Sequence, residues 1–356
     1  MVYYNLFPQP KSRRRQIMLK NYEGLELSTQ MIIEEALKRD AKVEVLDWDD
    51  NFIRLKKGMR VEYIKQATKT SADSYVVALI MENKELTKLI LKEHHINVPE
   101  SITVNRTDEA LSKYSNFKGN DIVIKPKSAN FGDGVSIVKD LKSKKDYIKS
   151  IEEALNYANY VLIEEFIPGR EYRFLVIADE VVAVMHRVPA NVMGDGTHNI
   201  KELVNEKNKD LRRGKGHITP LEKIELGSVE KNNLTSQMKD VYYLPEEGEI
   251  VYLRENSNIS TGGDSIDFTD DILEDYKIIA QNAAMAVGAK ICGVDMIIQN
   301  VKAKPNTNNH SIIELNFNPV LYPHNFPYKG QNRHVEKKIL DLLGFYPTTH
   351  KNMYET

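Results

Sequence analysis

A chain of 356 residues exceeds what one compact core usually absorbs, so two or three subdomains are expected. Its 41% hydrophobic and 28% charged residues are ordinary for a water-soluble protein, and 49 Lys plus Arg against 51 Asp plus Glu argue against a dedicated nucleic-acid binder. The single cysteine, Cys292, excludes an internal disulfide and a cysteine-rich zinc site and suits a reducing cytoplasm; no apolar run is long enough to cross a bilayer.

The basic leader Lys11-Ser-Arg-Arg-Arg15 is not followed by an apolar segment of signal-peptide length, so secretion is not expected. Residues 24–40 place Leu27, Met31, Ile32, Ala36 and Leu37 on one helix face, with Ser28 or Thr29 as the N-cap. A strand at 42–46 and a hairpin with arms at 52–55 and 60–66 follow, then an apolar strand at 75–81. These make a small N-terminal α/β lobe. Residues 83–96 read as a helix with Leu86, Leu89, Ile90 and Leu91 inward and Lys84, Lys88 and Lys92 on a solvated face.

A strand at 101–104 leads to the stretch 121–135. Residues 122–124 are a short β-branched strand, Lys125 ends it, Pro126 blocks its continuation, and residues 128–134 form a loop before a second strand at 135–138. Glycines let backbone N–H groups approach an anion and the lysine adds a point charge, so this loop is one way to cover a polyphosphate. An ordinary hairpin with a polar loop is the alternative. The loop is neither a Walker A motif nor a dinucleotide fingerprint.

An amphipathic helix at 144–158 and a strand at 160–163 run into Glu164-Glu165-Phe166-Ile167-Pro168-Gly169-Arg170-Glu171. Apolar residues, a carboxylate pair and a Pro-Gly turn resemble an interdomain hinge, whose exposed backbone could bind a purine edge while Glu171 takes ribose hydroxyls. Structural roles for adjacent glutamates are common. Strands at 174–177 and 181–185 and a helix at 200–206 precede a cationic, glycine-interrupted loop with Arg212, Arg213, Lys215 and His217, suited to recruiting an anion or simply to solvation. A polar loop at 254–264 is followed by a helix at 271–287, stopped by Gly288.

Residues 291–299 read as a strand carrying Asp295, and residues 311–317 return from a turn near 305. Side chains two apart share a strand face, so Glu314, Asn316 and Asn318 point one way, and Ile313, Leu315 and Phe317 the other. The hairpin brings Asp295 opposite the first set. Burying these carboxylates is costly without a compensating cation, and all-oxygen ligands favour magnesium over zinc. A salt-bridged hairpin face would need partners that these two strands do not supply.

With the lysine loop, the Glu-Glu hinge and the Asp…Glu-x-Asn hairpin in this order, the chain resembles the ATP-grasp carboxylate-amine ligases. Within them it is most similar to the glutathione synthetase half of the fused bacterial glutamate-cysteine ligase/glutathione synthetase, and more distantly to cyanophycin synthetase. The similarity covers roughly residues 24–345 and rests also on Arg187-Val-Pro-Ala-Asn191, Gly214-Lys-Gly-His217 and Ser260-Thr-Gly-Gly-Asp264.

The resemblance implies an α/β (α+β ATP-grasp) fold, with the nucleotide between two α+β subdomains. A truncated N-terminal lobe would occupy residues 1–80 and the ATP-grasp unit 81–356, with a small lobe at about 100–165 and a large one at about 166–345. Lys125 and Lys84 would contact the phosphates of ATP. Ser128, Asn130, Phe131, Gly132 and Gly134 would close over the γ-phosphate. Glu164, Glu165, Phe166 and Ile167 would hold adenine, and Glu171 the ribose. Asp295, Glu314 and Asn316 would hold two magnesium ions, with manganese as a substitute. Lys215 would reach the γ-phosphate, and Arg187 or Arg254 the substrate carboxylate or acyl phosphate.

The implied reaction joins γ-glutamylcysteine to glycine through an acyl phosphate. The implied partners are small peptide and amino-acid substrates, with no nucleic acid or membrane, in a cytoplasmic protein able to form a homodimer. Two departures are visible. The glutamate-cysteine ligase half is missing from this sequence, so the dipeptide would come from another polypeptide or the substrate differs. The ending also departs from the family around residues 320–323, which leaves another dipeptide, another amino acid or a non-catalytic nucleotide-binding module as alternatives.

Overall fold

The computed structural model describes residues 19–127, 134–216 and 219–348. Helix α1 (Leu27–Lys38) buries Leu27, Met31, Ile32, Ile33 and Ala36, while Leu37 faces solvent. Its N-cap position falls at Glu26 and has no side-chain cap. Ser28 lies inside the helix, and its Oγ accepts the backbone N–H groups of Leu321 (3.0 Å) and Tyr322 (3.4 Å). Strands β1 (Lys42–Asp47), β2 (Phe52–Lys57) and β3 (Arg60–Lys65) form an antiparallel meander that contains the expected hairpin, with Ile53, Leu55 and Ile64 turned toward α1.

Residues 75–81, expected as a strand, are helix α2 (Tyr75–Glu82). The Ser74 hydroxyl accepts the Val77 N–H (3.4 Å), and the buried residues, Val77 and Met81, are four apart while Tyr75, Val76 and Leu79 are exposed. An all-apolar run shows no period, and burial here follows the helical one. Helix α3 (Lys84–Glu93) follows, capped by Asn83 Oδ1 accepting the Leu86 N–H (3.2 Å). Its facing matches the expectation at Ile90, Leu91 and the exposed Lys92 and departs from it elsewhere: Leu86 and Leu89 are exposed, whereas Lys88 is buried.

Strands β4 (Ser101–Val104), β5 (Ile122–Pro126), β6 (Ser136–Val138) and β7 (Val161–Glu165) form an antiparallel sheet in the order β4-β7-β5-β6. Helices α4 (Thr107–Phe117), which the sequence reading passed over, and α5 (Lys144–Leu155) cover it, around Tyr114, Phe117, Ile124, Tyr147, Ile151 and Ile163.

Strands β8 (Arg170–Ile177) and β9 (Glu180–Val188) begin the largest sheet. An inserted region then contains β10 (Asn191–Met193), α6 (Ile200–Lys207), β11 (Arg213–Gly214), β12 (Leu221–Glu222), α7 (Ser228–Ser236) and β13 (Ile250–Tyr252). The sheet is completed by β14 (Asp264–Asp267), β15 (Ile291–Ile298) and β16 (His310–Asn316), giving five antiparallel strands in the order β14-β9-β8-β15-β16. Helix α8 (Glu274–Val287) ends at Gly288 with φ 78°, the left-handed C-cap that the glycine predicts.

One face of this sheet, with Tyr172, Phe174, Val176, Val294 and Met296, packs on α8, α2 and α3. On the other face, Leu175, Ile177, Ala183 and Ile291 join the core of the N-terminal lobe. Short α9 (Tyr322–Asn325) and α10 (Val335–Leu342) close that core, and Arg39 fastens it by donating to Asp341 Oδ1 (2.6 Å) and Phe345 O (2.8 Å). The strand alternation leaves the remainder of this second face to Glu171, Arg173, Arg187, Asp295, Glu314 and Asn316.

A β-bulge falls between Asp295, which pairs with Glu314, and Met296, which pairs with Ile312. Ile312 and Leu315 therefore both enter the apolar core, and the simple alternation expected for 313, 315 and 317 is broken. No described helix is long and apolar enough to cross a membrane.

Candidate active site

Asp295 and Arg173 are directly paired across β15 and β8. Arg173 grips the carboxylate as a fork, Nε to Oδ1 and Nη2 to Oδ2, both at 2.5 Å. Oδ2 also accepts from Arg187 Nη2 (3.1 Å) and Asn316 Nδ2 (3.3 Å). Burial alone would push this carboxyl up; the Arg173 and Arg187 guanidiniums outweigh it and hold Asp295 below the ordinary carboxylate range. The partners that the β15–β16 hairpin lacks thus come from β8 and β9.

Glu171, two residues before Arg173 and on its face, pairs with Arg187 and accepts from the Ser257 hydroxyl. Glu314 stands opposite Asp295, with Lys84 Nζ 3.3 Å from its Oε1. Lys84, Glu171, Arg187, Asp295, Glu314 and Asn316 are therefore brought together, with Glu171 facing the arginine.

A second cluster lies in the small sheet. Glu164 on β7 is buried between Lys125 (2.5 Å), from the neighbouring β5, and Lys88, from α3. Burial raises its carboxyl, but the two lysines prevail and hold it below its usual value. Beside it, Lys127 pairs with Glu85. Glu165 closes β7 opposite Ile122, is exposed and donates its N–H to Glu100 O (3.0 Å); the chain then leaves the sheet, and the Phe166 N–H goes to Asp121 O (3.0 Å). Lys139 Nζ lies 3.1 Å from the Phe166 ring centroid. Ile167 is half-buried. Gly169, at φ 147°, turns the chain into β8 where a Cβ would come within 2.8 Å of the Ile298 carbonyl.

The other candidates sit apart from these contacts. Lys215 is exposed and paired with Glu225 (2.6 Å), and Arg254 is tied to Glu230. The cationic loop is only partly solvated, because Arg213 is buried against Asp264, Glu222 O and Gly262 O. Gly134 has φ 70° and lies close to Pro126 and Tyr157. Ser128, Asn130, Phe131, Gly132 and His217 lie outside the described residues. Cys292 is buried core.

Sequence reasoning missed Arg173, Lys88 and Ser257 as members of these clusters. Arg173 carried a signal, since it alternates with Glu171 on one strand and must share its face. Lys88 was misassigned because lysines at i,i+4 usually mark the wet side of a helix.

Asp295, Glu314 and Asn316 offer two carboxylates and an amide. No cage of three or more His, Cys, Asp or Glu exists among the described residues. A sparse, all-oxygen donor set fits magnesium, which takes one or two carboxylates and completes its shell with water and phosphate oxygens.

Residues 23–76 match the ATP-grasp-like domain, and residues 82–192 the phosphoribosylglycinamide synthetase ATP-grasp (A) domain. The glutathione biosynthesis bifunctional proteins of Clostridium perfringens and Listeria monocytogenes are 55% and 50% identical over 93% and 90% of this chain, each matched across 42% of its own length. The crystal structure of a bifunctional glutathione synthetase from Pasteurella multocida superposes with a TM-score of 0.74 at 41% identity, over 92% of this chain and 45% of its own. The chain therefore spans less than half the length of the relatives it matches. Domain matches and relatives agree with the resemblance drawn from the motifs: the chain carries ATP-grasp domains and has the ATP-grasp fold.

Proposed function

We propose that the chain is an ADP-forming carboxylate-amine ligase acting as a glutathione synthetase, which joins γ-glutamylcysteine to glycine at the expense of ATP. The observation that supports this best is the cross-strand pair Asp295 and Glu314, with Asn316 beside them, facing Lys84 on the helix whose next turn places Lys88 against Glu164 and Lys125. Carboxylates for a cation and amines for phosphates thus converge from two sheets.

The acceptor carboxylate attacks the γ-phosphorus, giving an acyl phosphate and ADP, and the amine then attacks the activated carbonyl and releases phosphate. Both reactants are anions, so the chain must neutralise their repulsion. Lys84, Lys88 and Lys125 supply fixed positive charge toward the phosphates. Arg187 supplies a guanidinium toward the substrate carboxylate and acyl phosphate. Asp295, Glu314 and Asn316 would hold the divalent ions, whose charge offsets that of the phosphates. Glu164 would orient its lysines and the adenine, and Glu171 would take the ribose once released from Arg187. Lys215 and Arg254 enter only by movement of their loops.

The departures at residues 320–323 bear on substrate. Leu321 and Tyr322 are buried in the N-terminal core and Val320 is exposed, so the change alters packing in the first place. This supports glutathione synthesis over another dipeptide. We further assign residues 1–80 to an N-terminal lobe and 81–356 to the ATP-grasp unit, and place the protein in the cytoplasm as a homodimer, as the resemblance implies. Phosphate release from ATP with γ-glutamylcysteine and glycine, together and singly, tests the function. Release that needs both is expected; release only with other amino acids, or with none, overturns it.

A further inference from the structure

The contacts of Arg187 are unequal. Asp295 Oδ2 accepts three N–H groups, from Arg173 at 2.5 Å, Arg187 at 3.1 Å and Asn316 at 3.3 Å, one more than its two lone pairs serve well. Arg173 is held by both carboxylate oxygens and is the fixed partner. Arg187 shares one nitrogen, Nη2, between Asp295 and Glu171, and its buried Nε has no hydrogen-bond partner among the described residues. A buried guanidinium with an unused donor beside an oversubscribed oxygen is poised to exchange partners.

We propose that Arg187 is a cation-gated arm: a divalent ion bound at Asp295 takes the oxygen that Arg187 occupies, and the guanidinium turns its free Nε–H and released Nη2 to an anion entering the site. A divalent ion and Arg187 cannot both rest on Oδ2 beside Arg173, which already claims it. Arg187 leaves Asp295, since its single long contact there is the weaker one. Cation and anion then bind with positive coupling, which linkage makes reciprocal. That the anion is a substrate carboxylate or acyl phosphate rests on the ligase reading; the exchange itself does not.

Manganese(II) binding to the full chain, followed by electron paramagnetic resonance of the free ion with saturating ADP and no peptide, tests the exchange. Arg187→Gln removes the competitor, so affinity is expected to rise about fivefold or more, the low end of ordinary coupling. If that variant does not fold, Arg187→Lys carries the comparison, because one ammonium cannot span Glu171 and Asp295 together; a rise is again expected. Equal or weaker binding in the variant, or no binding by either protein, overturns the proposal. The phosphate-release assay is independent: tighter manganese binding without peptide-dependent turnover removes the ligase reading and leaves the gate standing.

Discussion

Lys84 and Lys88 stand one turn apart on α3, yet they hold carboxylates on two different sheets: Lys84 Nζ lies 3.3 Å from Glu314 on β16, and Lys88 pairs with Glu164 on β7. Lys88 and Glu164 are nearly excluded from water, whereas Lys84 and Glu314 keep side-chain exposures of 22% and 34%. The two pairs therefore differ in what their loss costs.

Lys88→Met leaves Glu164 in a dry site with Lys125 alone. A stability loss of about 1–3 kcal/mol is expected in urea unfolding, because a buried charge loses one of its partners. Lys84→Met should cost less than about 1 kcal/mol, since water screens and resolvates its partner. Equal losses would contradict the burial difference.

Asp295 and Glu314 should separate stability from turnover. Glu314→Gln is expected to lower kcat at least about 100-fold at saturating magnesium, the size of effect seen when one electrostatic stabiliser is lost, with little change in melting temperature. Asp295→Asn should lower turnover as well and also destabilise by about 3–5 kcal/mol, because Arg173 is left buried without its counter-charge. Near-normal rates in Glu314→Gln would remove the cation assignment.

Three buried histidines, His186, His310 and His324, are held below the ordinary imidazole value by burial and shape the acid limb of stability. Burial holds His186 down to about 4 and His324 down to about 3, against an ordinary value of 6.5. Both are neutral when folded and take up a proton on unfolding, so their contribution is complete above pH 6.5 and drains as pH falls toward their folded values. Each should add a slope of about 1.4 kcal/mol per pH unit below that point. Asp295 and Glu164, held below 3.8 and 4.5, contribute their loss only at lower pH. His324→Leu should visibly flatten urea-derived stability between pH 6.5 and 4.5, and an unchanged slope would show that His324 is not buried in its neutral form.

Gly169→Ala tests the entry to β8. Its Cβ would meet the Ile298 backbone at 2.8 Å from a φ of 147°, so a loss of about 1–3 kcal/mol and a weaker ATP affinity are expected together. Fluorescence titration with a nucleotide analogue and thermal melting check both. A variant with wild-type values would mean that this turn relaxes freely.

Much of the fold and part of the site could be read from the chain, for reasons particular to each element. Alternation in β15 and β16 placed Asp295 opposite Glu314, and the α8 stop at Gly288 followed from backbone freedom. The run at 75–81 failed because every side chain was apolar, so no period distinguished helix from strand. Lys92 is solvated as its spacing indicates, but Lys84 and Lys88 escape that pattern because their carboxylates come from residues 314 and 164, and only tertiary structure shows that pairing. The bulge after Asp295 was likewise invisible, since it depends on how Ile312 fits the core beneath.

The closure of α1 by α10 has a temporal side. Arg39 and Asp341 are 302 residues apart in sequence, and the apolar face of α1 shares its core with Val335, Ile339 and Phe345. At about 5–20 residues per second on the ribosome, roughly 15–60 s pass before those partners emerge. Leu27, Met31 and Ile32 must wait through that interval with the meander and, later, Leu175, Ile177, Ala183 and Ile291 beside them. This lobe is thus among the last parts of the described fold to be sealed, and a nascent chain stalled before residue 335 would present this face to chaperones.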